Sequence, residues 1–383
     1  MFQREESMTS VVVLGAGMVG RAIAVDISSQ YEVTCVDSDA NALNIAARRA
    51  NIKTLQQDVT DTPLLRQLVN TFDLVVNATP GHLGFAVLQT VIDAGRNIVD
   101  ISFFPEDALV LDAVAKERGI TAIVDMGVAP GMGNVLLGQH DQTMQVQRFE
   151  CLVGGLPKVR HWPFQYKAPF SPADVIEEYL RPARLMQNGQ VVVRPALSDC
   201  ECVDFADVGT LEAFNTDGLR SLLTTMAHIP EMTEKTLRYP GHVEMIQVLK
   251  QSGFFAHDVI PVGNTRISPL AFTSAILKNE WTLAAGEAEF TIMRVTISGV
   301  EAGQSKTYRY HLYDEYDAAS DTSSMARTTG YTCCAVVNLV LDGTFNARGL
   351  FAPEQVGKHN ACLEYIMGYL AQRGVQYRQE VVE

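Results

Sequence analysis

The stretch that decides the fold is Ser10–Gly20, SVVVLGAGMVG, in which a short apolar run leads directly into a glycine turn. A strand is predicted over residues 10–14 and a helix from residue 18. In this setting Gly15 permits a tight turn, Gly17 lets a pyrophosphate approach the backbone, and Gly20 lets the helix pack on the strand. The phosphates then lie at a helix N-terminus, where free N–H groups favour negative charge. The turn predicts a bound dinucleotide, held by Gly15, Gly17, Met18, Val19 and Gly20.

The next apolar run ends in an acidic residue that bears on which dinucleotide binds. Asp37 lies 22 residues after Gly15. A carboxylate at this place accepts hydrogen bonds from the adenosine ribose hydroxyls and repels a 2′-phosphate. Ser38 and Asp39 follow, without an arginine or lysine that would hold that phosphate. The expected cofactor is therefore NAD rather than NADP.

The first 125 residues alternate short apolar runs with helical patterns. Strands covered on both faces read as such runs, and strands that alternate with helices form a doubly wound parallel (Rossmann) sheet. The predicted strands are 10–14, 32–36, 52–56, 73–77, 97–101 and 120–125. The predicted helices are 18–29, 40–49, 61–70, 82–94 and 106–118.

Polar or small residues follow most of these strands, at the edge where such sheets bind ligands. Each could also be a simple turn former, but their common position favours a cofactor site. The residues expected to contact the cofactor there are Asp58, Val59, Ala78, Thr79, Pro80, Asp100, Ile101 and Ser102.

The pattern changes after Asp125. A glycine-rich loop at 127–134 is interpreted as a hinge, and from residue 145 strands and helices mix as in an α+β domain. Helical patterns return from residue 323 and are expected to dock on the first domain. The predicted organisation is a discontinuous dinucleotide-binding domain, 1–132 and 324–383, with a substrate-binding and oligomerisation domain at 133–323.

Composition limits the possible partners. The chain of 383 residues is 47% hydrophobic and carries a net charge of −14 with no basic cluster, which argues against nucleic acid and anionic membranes. No apolar stretch approaches 18 residues, and the N-terminus has no signal-peptide core, so a cytoplasmic protein without membrane association is expected. The seven cysteines show no zinc spacing, and no metal is expected.

These motifs resemble the saccharopine dehydrogenase-like family, and within it the L-lysine 6-dehydrogenases. The resemblance spans the chain and is carried by GAGMVG (15–20), NATP (77–80), VDIS (99–102), DMGVAPGMGN (125–134), GGLP (154–157), EAFNTDGLRSL (212–222), EKTLRYPGH (234–242) and SSMARTTGYT (323–332). It implies NAD-dependent oxidation of lysine at its ε-carbon, in a homodimer or larger homo-oligomer. The products would be 2-aminoadipate 6-semialdehyde, which cyclises to a piperideine carboxylate, ammonia and NADH.

The ε-ammonium must lose a proton in this reaction, and its solution pKa is about 10.4. A base or an apolar pocket must therefore lower that pKa, and the α-carboxylate needs a hydrogen-bond donor. Asp125 and His242 are the candidates for proton transfer, although Asp125 could instead cap the hinge and His242 could cap a helix. The candidate substrate-binding residues are Lys167, Thr216, Arg220, Arg238 and Tyr239. Lys167 is also compatible with an ordinary surface lysine, and Arg220 with a solvated helical turn.

Two other functions remain open. Saccharopine dehydrogenases act on a secondary amine with three carboxylates, which should require several convergent basic residues. Few are clustered in the sequence of the second domain, which favours the smaller substrate. A non-enzymatic NAD-sensing module would share the glycine turn and Asp37, but does not account for the long second domain.

Overall fold

The computed structural model describes residues 8–168, 172–284 and 286–382. The chain folds into two compact units, Met1–Gln139 with Ala326–Gly374 and His140–Met325 with Val375–Glu383.

The strands, in chain order, are β1 (Ser10–Leu14), β2 (Glu32–Asp37), β3 (Lys53–Gln56), β4 (Leu74–Asn77), β5 (Asn97–Asp100), β6 (Thr121–Ile123), β7 (Met144–Pro157), β8 (Ala183–Gln187), β9 (Gln190–Arg194), β10 (Glu201–Phe205), β11 (Gly209–Asn215), β12 (Glu231–Arg238), β13 (Ile260–Val262), β14 (Thr265–Ile267), β15 (Glu289–Glu301), β16 (Gln304–Glu315), β17 (Gly349–Phe351) and β18 (Tyr377–Val382). The helices are α1 (Met18–Ile27), α2 (Ala40–Arg49), α3 (Thr62–Val69), α4 (Gly81–Asp93), α5 (Asp112–Arg118), α6 (Met132–His140), α7 (Pro172–Leu180), α8 (Leu222–Thr225), α9 (His242–Gln251), α10 (Pro269–Trp281), α11 (Ser324–Leu341), α12 (Pro353–Gly357) and α13 (Asn360–Gln372).

The first unit contains a seven-stranded sheet in the order β17-β6-β5-β4-β1-β2-β3, and all neighbouring strands run parallel. This confirms the doubly wound parallel sheet. The interior strand β1 is buried, as its unbroken apolar sequence predicts, whereas β3 at the edge is exposed. The seventh strand, β17, was not predicted because a three-residue strand shows no period.

The helices that follow the second unit return to the first, as predicted. Asp26 of α1 accepts hydrogen bonds from the Tyr369 hydroxyl and the Arg373 Nε, both at 2.6 Å. The Asn134 amide of α6 donates to Glu354 of α12 at 3.1 Å. These buried and half-buried polar contacts join the two segments of the unit.

The second unit is an α+β unit built on a nine-stranded sheet with the main path β10-β11-β12-β7-β15-β16-β18. Among the described strands of this sheet, β7 and β12 are parallel neighbours, and the other pairs are antiparallel. One face packs against α7, α9 and α10, with Tyr179, Ile246 and Trp281 fully buried in that core.

One part of the predicted organisation is corrected by the sheet. The prediction assigned residues 324–383 as a whole to the first domain, but β18 pairs with β16 of the second sheet, with Tyr377 opposite Leu312. The reason is that β16 would otherwise be an open edge, and the C-terminal strand supplies its hydrogen-bond partners.

Candidate functional site

The glycine turn has the geometry that a dinucleotide requires. Gly15 has a φ of +104°, and a Cβ there would lie 2.4 Å from the Ala78 oxygen. A Cβ on Gly20 would lie 2.1 Å from the Gly15 oxygen, so helix α1 packs directly on the turn. Gly17 is exposed and precedes α1, and a Cβ there would meet nothing within 4 Å. Thus Gly15 and Gly20 are required by packing, whereas Gly17 leaves open space at the helix N-terminus.

Asp37 connects the end of β2 to this turn. One carboxylate oxygen accepts the Ala16 N–H at 2.6 Å and the other accepts the Asp39 N–H at 2.8 Å. The carboxylate therefore lies beside the loop expected to hold the pyrophosphate, and its charge opposes a phosphate on the neighbouring ribose.

The ends of β4 and β5 form a buried polar network. The Asn77 amide donates to Asp100 at 2.7 Å, and its oxygen accepts from the Thr79 hydroxyl at 2.8 Å. Asp100 also accepts the Ser102 N–H at 2.6 Å, and the Ser102 hydroxyl donates to the Thr79 carbonyl at 2.8 Å. Thr79, Asp100 and Ser102 were predicted as cofactor contacts, whereas Asn77 was quoted only within the motif NATP; its position as the last residue of a buried strand was the available signal.

The other residues predicted to contact the cofactor lie in the first unit but differ in their surroundings. Asp58 is exposed, and Thr60 hydrogen bonds from its N–H and hydroxyl lower the pKa of the Asp58 carboxyl. Val59 packs partly against the core, Pro80 is exposed, and the Ile101 N–H donates to the Asn77 carbonyl. Whether they contact a cofactor remains a prediction.

Asp125 lies in the hinge at a left-handed φ of +56°, and it is buried. The following N–H, of Met126, donates to the Asp100 carbonyl at 3.0 Å, so the chain turns next to the end of β5. Gly131 has a φ of +141°, and a Cβ there would lie 1.8 Å from the Gly127 oxygen. The loop is therefore closed on itself and holds Asp125 in an uncommon backbone conformation.

In the second unit, Arg238 at the end of β12 lies in a buried polar cluster and is 2% exposed. It donates to the Tyr179 hydroxyl at 2.9 Å, the Leu237 carbonyl at 2.9 Å and Glu178 at 3.1 Å. Its guanidinium also lies 4.4 Å from the centre of the Tyr166 ring. Three of its nitrogens thus each make a hydrogen bond within the protein, and the tyrosine faces add favourable cation–π contact.

His242 continues this network. Its Nδ1 lies 2.8 Å from the Phe164 carbonyl and its Nε2 lies 3.0 Å from the Tyr179 hydroxyl. Because a carbonyl only accepts, Nδ1 carries the proton and Nε2 accepts from Tyr179. Burial and the nearby Arg238 charge lower the pKa of His242 to about 3. His242 was predicted to accept a proton near neutral pH, and this geometry does not suit that role. Both ring nitrogens already make hydrogen bonds within the protein, so the neutral ring acts as a positioning group for Tyr179.

The buried histidine should make stability depend on pH. Between pH 6.5 and about 3 the unfolded chain binds the His242 proton and the folded chain does not, so acid destabilises the fold. We expect the fall in unfolding free energy between pH 7 and pH 5 to be about 2 kcal/mol smaller in His242→Gln than in the wild type. Urea unfolding followed by fluorescence of the buried Trp281 measures this. An equal fall in unfolding free energy in the wild type and in His242→Gln would contradict the assignment of His242 as a neutral buried ring.

Two further predicted substrate residues are held by structural contacts. The Tyr239 hydroxyl donates to the Pro157 carbonyl at 2.9 Å, with Arg160 stacked 3.8 Å from its ring centre. Lys167 donates to the Glu280 carbonyl at 2.5 Å, and this contact is compatible with a surface lysine that ties a loop to α10.

The loop before α8 brings together charges that are distant in sequence. Asp217 accepts both Nε and Nη2 of Arg184 at 2.8 Å, a bidentate pair. Burial lowers the pKa of Arg181. The nearby charges of Arg220 and Arg184 also lower this pKa, whereas the charge of Asp217 raises it. The sequence suggested that this domain lacks clustered basic residues, but Arg184 pairs with Asp217, and the charges of Asp217, Arg184 and Arg220 all act on Arg181. The α7–β8 turn and the left-handed Arg220 (φ +46°) bring them together.

Thr216 contacts Glu234, a residue that was not predicted as part of the site. Its hydroxyl donates to Glu234 at 2.6 Å and lies 2.9 Å from the Thr236 hydroxyl. Glu234, Thr236 and Arg238 share one face of β12, because side chains alternate along a strand. That two-residue spacing, within the motif EKTLRYPGH, was the available signal.

No group of three or more His, Cys, Asp or Glu residues in the described part of the chain has the arrangement to hold a metal ion. No helix within the described ranges is long and apolar enough to cross a membrane. All seven cysteines are free, and Cys200 and Cys202 are the two exposed ones.

A parallel sheet with a glycine turn, an acid at the end of β2 and polar strand ends defines a nucleotide-binding dehydrogenase domain. Two family models match the chain: the saccharopine dehydrogenase NADP binding domain over residues 11–123, and the saccharopine dehydrogenase C-terminal domain over residues 127–375. The chain belongs to the saccharopine dehydrogenase family.

Similar proteins are distant in sequence. A saccharopine dehydrogenase [NADP(+), L-glutamate-forming] of Pyricularia oryzae is 23% identical, over 90% of this chain and 93% of that protein. The alpha-aminoadipic semialdehyde synthase of Arabidopsis thaliana is 25% identical over 74% of this chain, which spans only 29% of that longer protein. A carboxyaminopropylagmatine dehydrogenase of Synechocystis is 22% identical, over 91% of this chain and 93% of that one.

The fold is that of a solved relative. Saccharopine dehydrogenase (L-Glu forming) from Saccharomyces cerevisiae superimposes with a TM-score of 0.79, covering 98% of this chain and all of that one at 19% identity.

Proposed function

We propose that the protein catalyses NAD-dependent oxidative deamination of L-lysine at the ε-carbon. The products would be 2-aminoadipate 6-semialdehyde, which cyclises to a piperideine carboxylate, ammonia and NADH. The observation that carries the amino-acid assignment is the face of β12, where a buried carboxyl, Glu234, and a buried guanidinium, Arg238, lie four residues apart. An amino acid offers an ammonium and a carboxylate, which are the groups that such a pair recognises.

NAD is proposed as the cofactor because of Asp37. The matching family model is named for NADP, and one relative is named for NADP(+). In this chain, however, the Asp37 carboxylate lies against the turn, and Ser38 and Asp39 bring no positive charge for a 2′-phosphate. The open space at Gly17 accommodates a pyrophosphate at the N-terminus of α1. Bound NAD would supply the hydride acceptor.

The chain's own residues have three tasks in this reaction. Asp125, at the hinge, stays a proposed catalytic residue, and it would orient the amine. In the second unit, Arg238 is proposed to recognise the α-carboxylate, since its guanidinium has five N–H donors and three of them serve Tyr179, Leu237 and Glu178. Thr216 and Tyr239 are proposed to contact the substrate in the second unit. Positioning of the ε-carbon is then the main requirement.

The arginines around Asp217 favour a second candidate, a secondary amine of the saccharopine type. Such a substrate carries three carboxylates, and Arg181, Arg184 and Arg220 would suit the additional ones. The relative from Pyricularia oryzae carries this activity in its name. Under the lysine proposal, these arginines instead hold Asp217 and the loop.

The test is turnover of the purified protein with NAD and each amine. Lysine oxidation releases ammonia in step with NADH, whereas saccharopine oxidation releases glutamate and no ammonia. Ammonia released in proportion to NADH from L-lysine supports the proposal, and NADH formed only with saccharopine would establish the second candidate. A cytoplasmic location and a homodimer or larger homo-oligomer are proposed together with this function.

A further inference from the structure

Three carboxyl groups, two of them buried and the third half-buried, lie near one another in the second unit, and two of the three have cationic partners. Glu178 binds Arg238 at 3.1 Å, and Asp217 binds Arg184 at 2.8 Å through two hydrogen bonds. Glu234 is 7% exposed and makes no ion pair within the described residues. Its carboxyl is bound instead by two uncharged donors, the Thr216 hydroxyl at 2.6 Å and the Gly218 N–H.

The loop is built closely around this carboxyl. A Cβ on Gly218 would lie 2.3 Å from Glu234 Oε2, so a glycine is needed for the loop to reach it. A buried carboxylate without a cation is costly, because burial removes its hydration without replacing the charge. An ammonium ion brought by a substrate would supply that missing charge.

We propose that Glu234 accepts the proton of the substrate's reacting ammonium, an assignment that rests on the function proposed above. In this step an N–H bond of the ammonium breaks and an O–H bond forms on a Glu234 carboxylate oxygen. The electron pair of the broken bond stays on nitrogen, where it can form the C=N bond as the hydride leaves the ε-carbon for NAD. The assignment replaces His242, whose Nε2 already accepts from Tyr179.

The surroundings of Glu234 fit a group that changes protonation at mildly alkaline pH. Burial, together with the charges of Glu178 and Asp217, raises the pKa of Glu234 to about 8, against the lowering effect of the Thr216 and Gly218 hydrogen bonds. The thiol of Cys151, on the neighbouring strand β7, also faces it, and burial keeps that thiol neutral by raising its pKa. Below pH 8 the acid is neutral, and above it the carboxylate is available to take a proton.

The experiment compares pH profiles of kcat/KM for the amine substrate in the wild type, Glu234→Gln and Glu231→Gln. Glutamine keeps the size and the acceptor for Thr216 but cannot take a proton. We expect Glu234→Gln to lose about 100-fold or more in kcat/KM at pH 8. The rising limb of the kcat/KM profile should lie at about pH 8 in the wild type and move toward about pH 10 in Glu234→Gln, because the free amine forms in solution near that pH. NADH affinity should not change.

Glu231→Gln is the matched control, because Glu231 lies on the opposite face of β12 and accepts the exposed Asn188 N–H at 2.8 Å. It should keep the wild-type profile. Glu234→Asp retains a carboxyl, so its kcat/KM should be lower but should rise near the same pH as in the wild type. This result distinguishes loss of proton transfer from loss of folding. A wild-type profile in Glu234→Gln, or a uniform loss without a shifted limb in both Glu234 variants, would overturn the proposal. If the wild type turns over the amine in the same assay, such a result counts against the role of Glu234 and not against the proposed function.

Discussion

Replacing Gly17 by alanine is expected to weaken NADH binding about 100-fold, or about 2.7 kcal/mol, while leaving the fold intact. A Cβ at this position meets no protein atom within 4 Å, so folding gives no reason for glycine. The space lies at the N-terminus of α1, where a pyrophosphate would contact the backbone. Fluorescence titration with NADH measures the affinity, and thermal unfolding without cofactor measures the stability.

Gly20→Ala is the contrasting variant. Its Cβ would lie 2.1 Å from the Gly15 oxygen and 3.2 Å from the Ala78 Cβ, so the first unit should lose about 1–3 kcal/mol of stability as well as NADH affinity. If Gly17→Ala binds NADH as the wild type does, or unfolds as early as Gly20→Ala, the turn does not hold the cofactor in this way.

Arg238→Met should cost the second unit about 3–5 kcal/mol of unfolding free energy. Removing the guanidinium leaves the half-buried Glu178 without its ion pair and takes the Nε–H donor away from Tyr179. Urea unfolding followed by tryptophan fluorescence is suited to this measurement, because both tryptophans, Trp162 and Trp281, belong to this unit.

The double variant Arg238→Met/Glu178→Gln identifies the cause. If the cost is the unpaired carboxylate, the double variant should be more stable than Arg238→Met alone, since the buried charge is then removed. Equal or lower stability of the double variant would show that the ion pair does not carry the effect. Neither result alters the assignment of the cofactor turn, which lies in the other unit.

The sequence predicted the first unit well because its signals are local. The glycine turn and Asp37 are fixed by spacing within one strand–helix–strand unit, and the structure has the strands within a few residues of the predictions. The strand β17 and the return of β18 to the second sheet were missed, because short strands and distant pairings leave no period in the sequence.

The candidate site in the second unit was harder to predict, since its geometry depends on contacts distant along the chain. His242 lies four residues after Arg238 in the sequence motif, but it is the Phe164 carbonyl, 78 residues away, that fixes which ring nitrogen carries the proton. Arg181 follows α7, Arg184 lies in β8 and Arg220 precedes α8, and no local pattern marks these three arginines as a cluster. Glu234 was quoted within a motif, yet its burial against Gly218 became evident only in the fold.

The most direct measurement of the central claim is the rate of NADH formation, with ammonia release, for L-lysine and for saccharopine with NAD and with NADP. The account predicts turnover of L-lysine with NAD, one ammonia for each NADH, and weaker turnover with NADP because Asp37 repels the 2′-phosphate. Turnover confined to saccharopine would contradict the lysine assignment. Tight NADH binding without turnover of either amine would contradict the enzymatic function itself and favour an NAD-sensing protein.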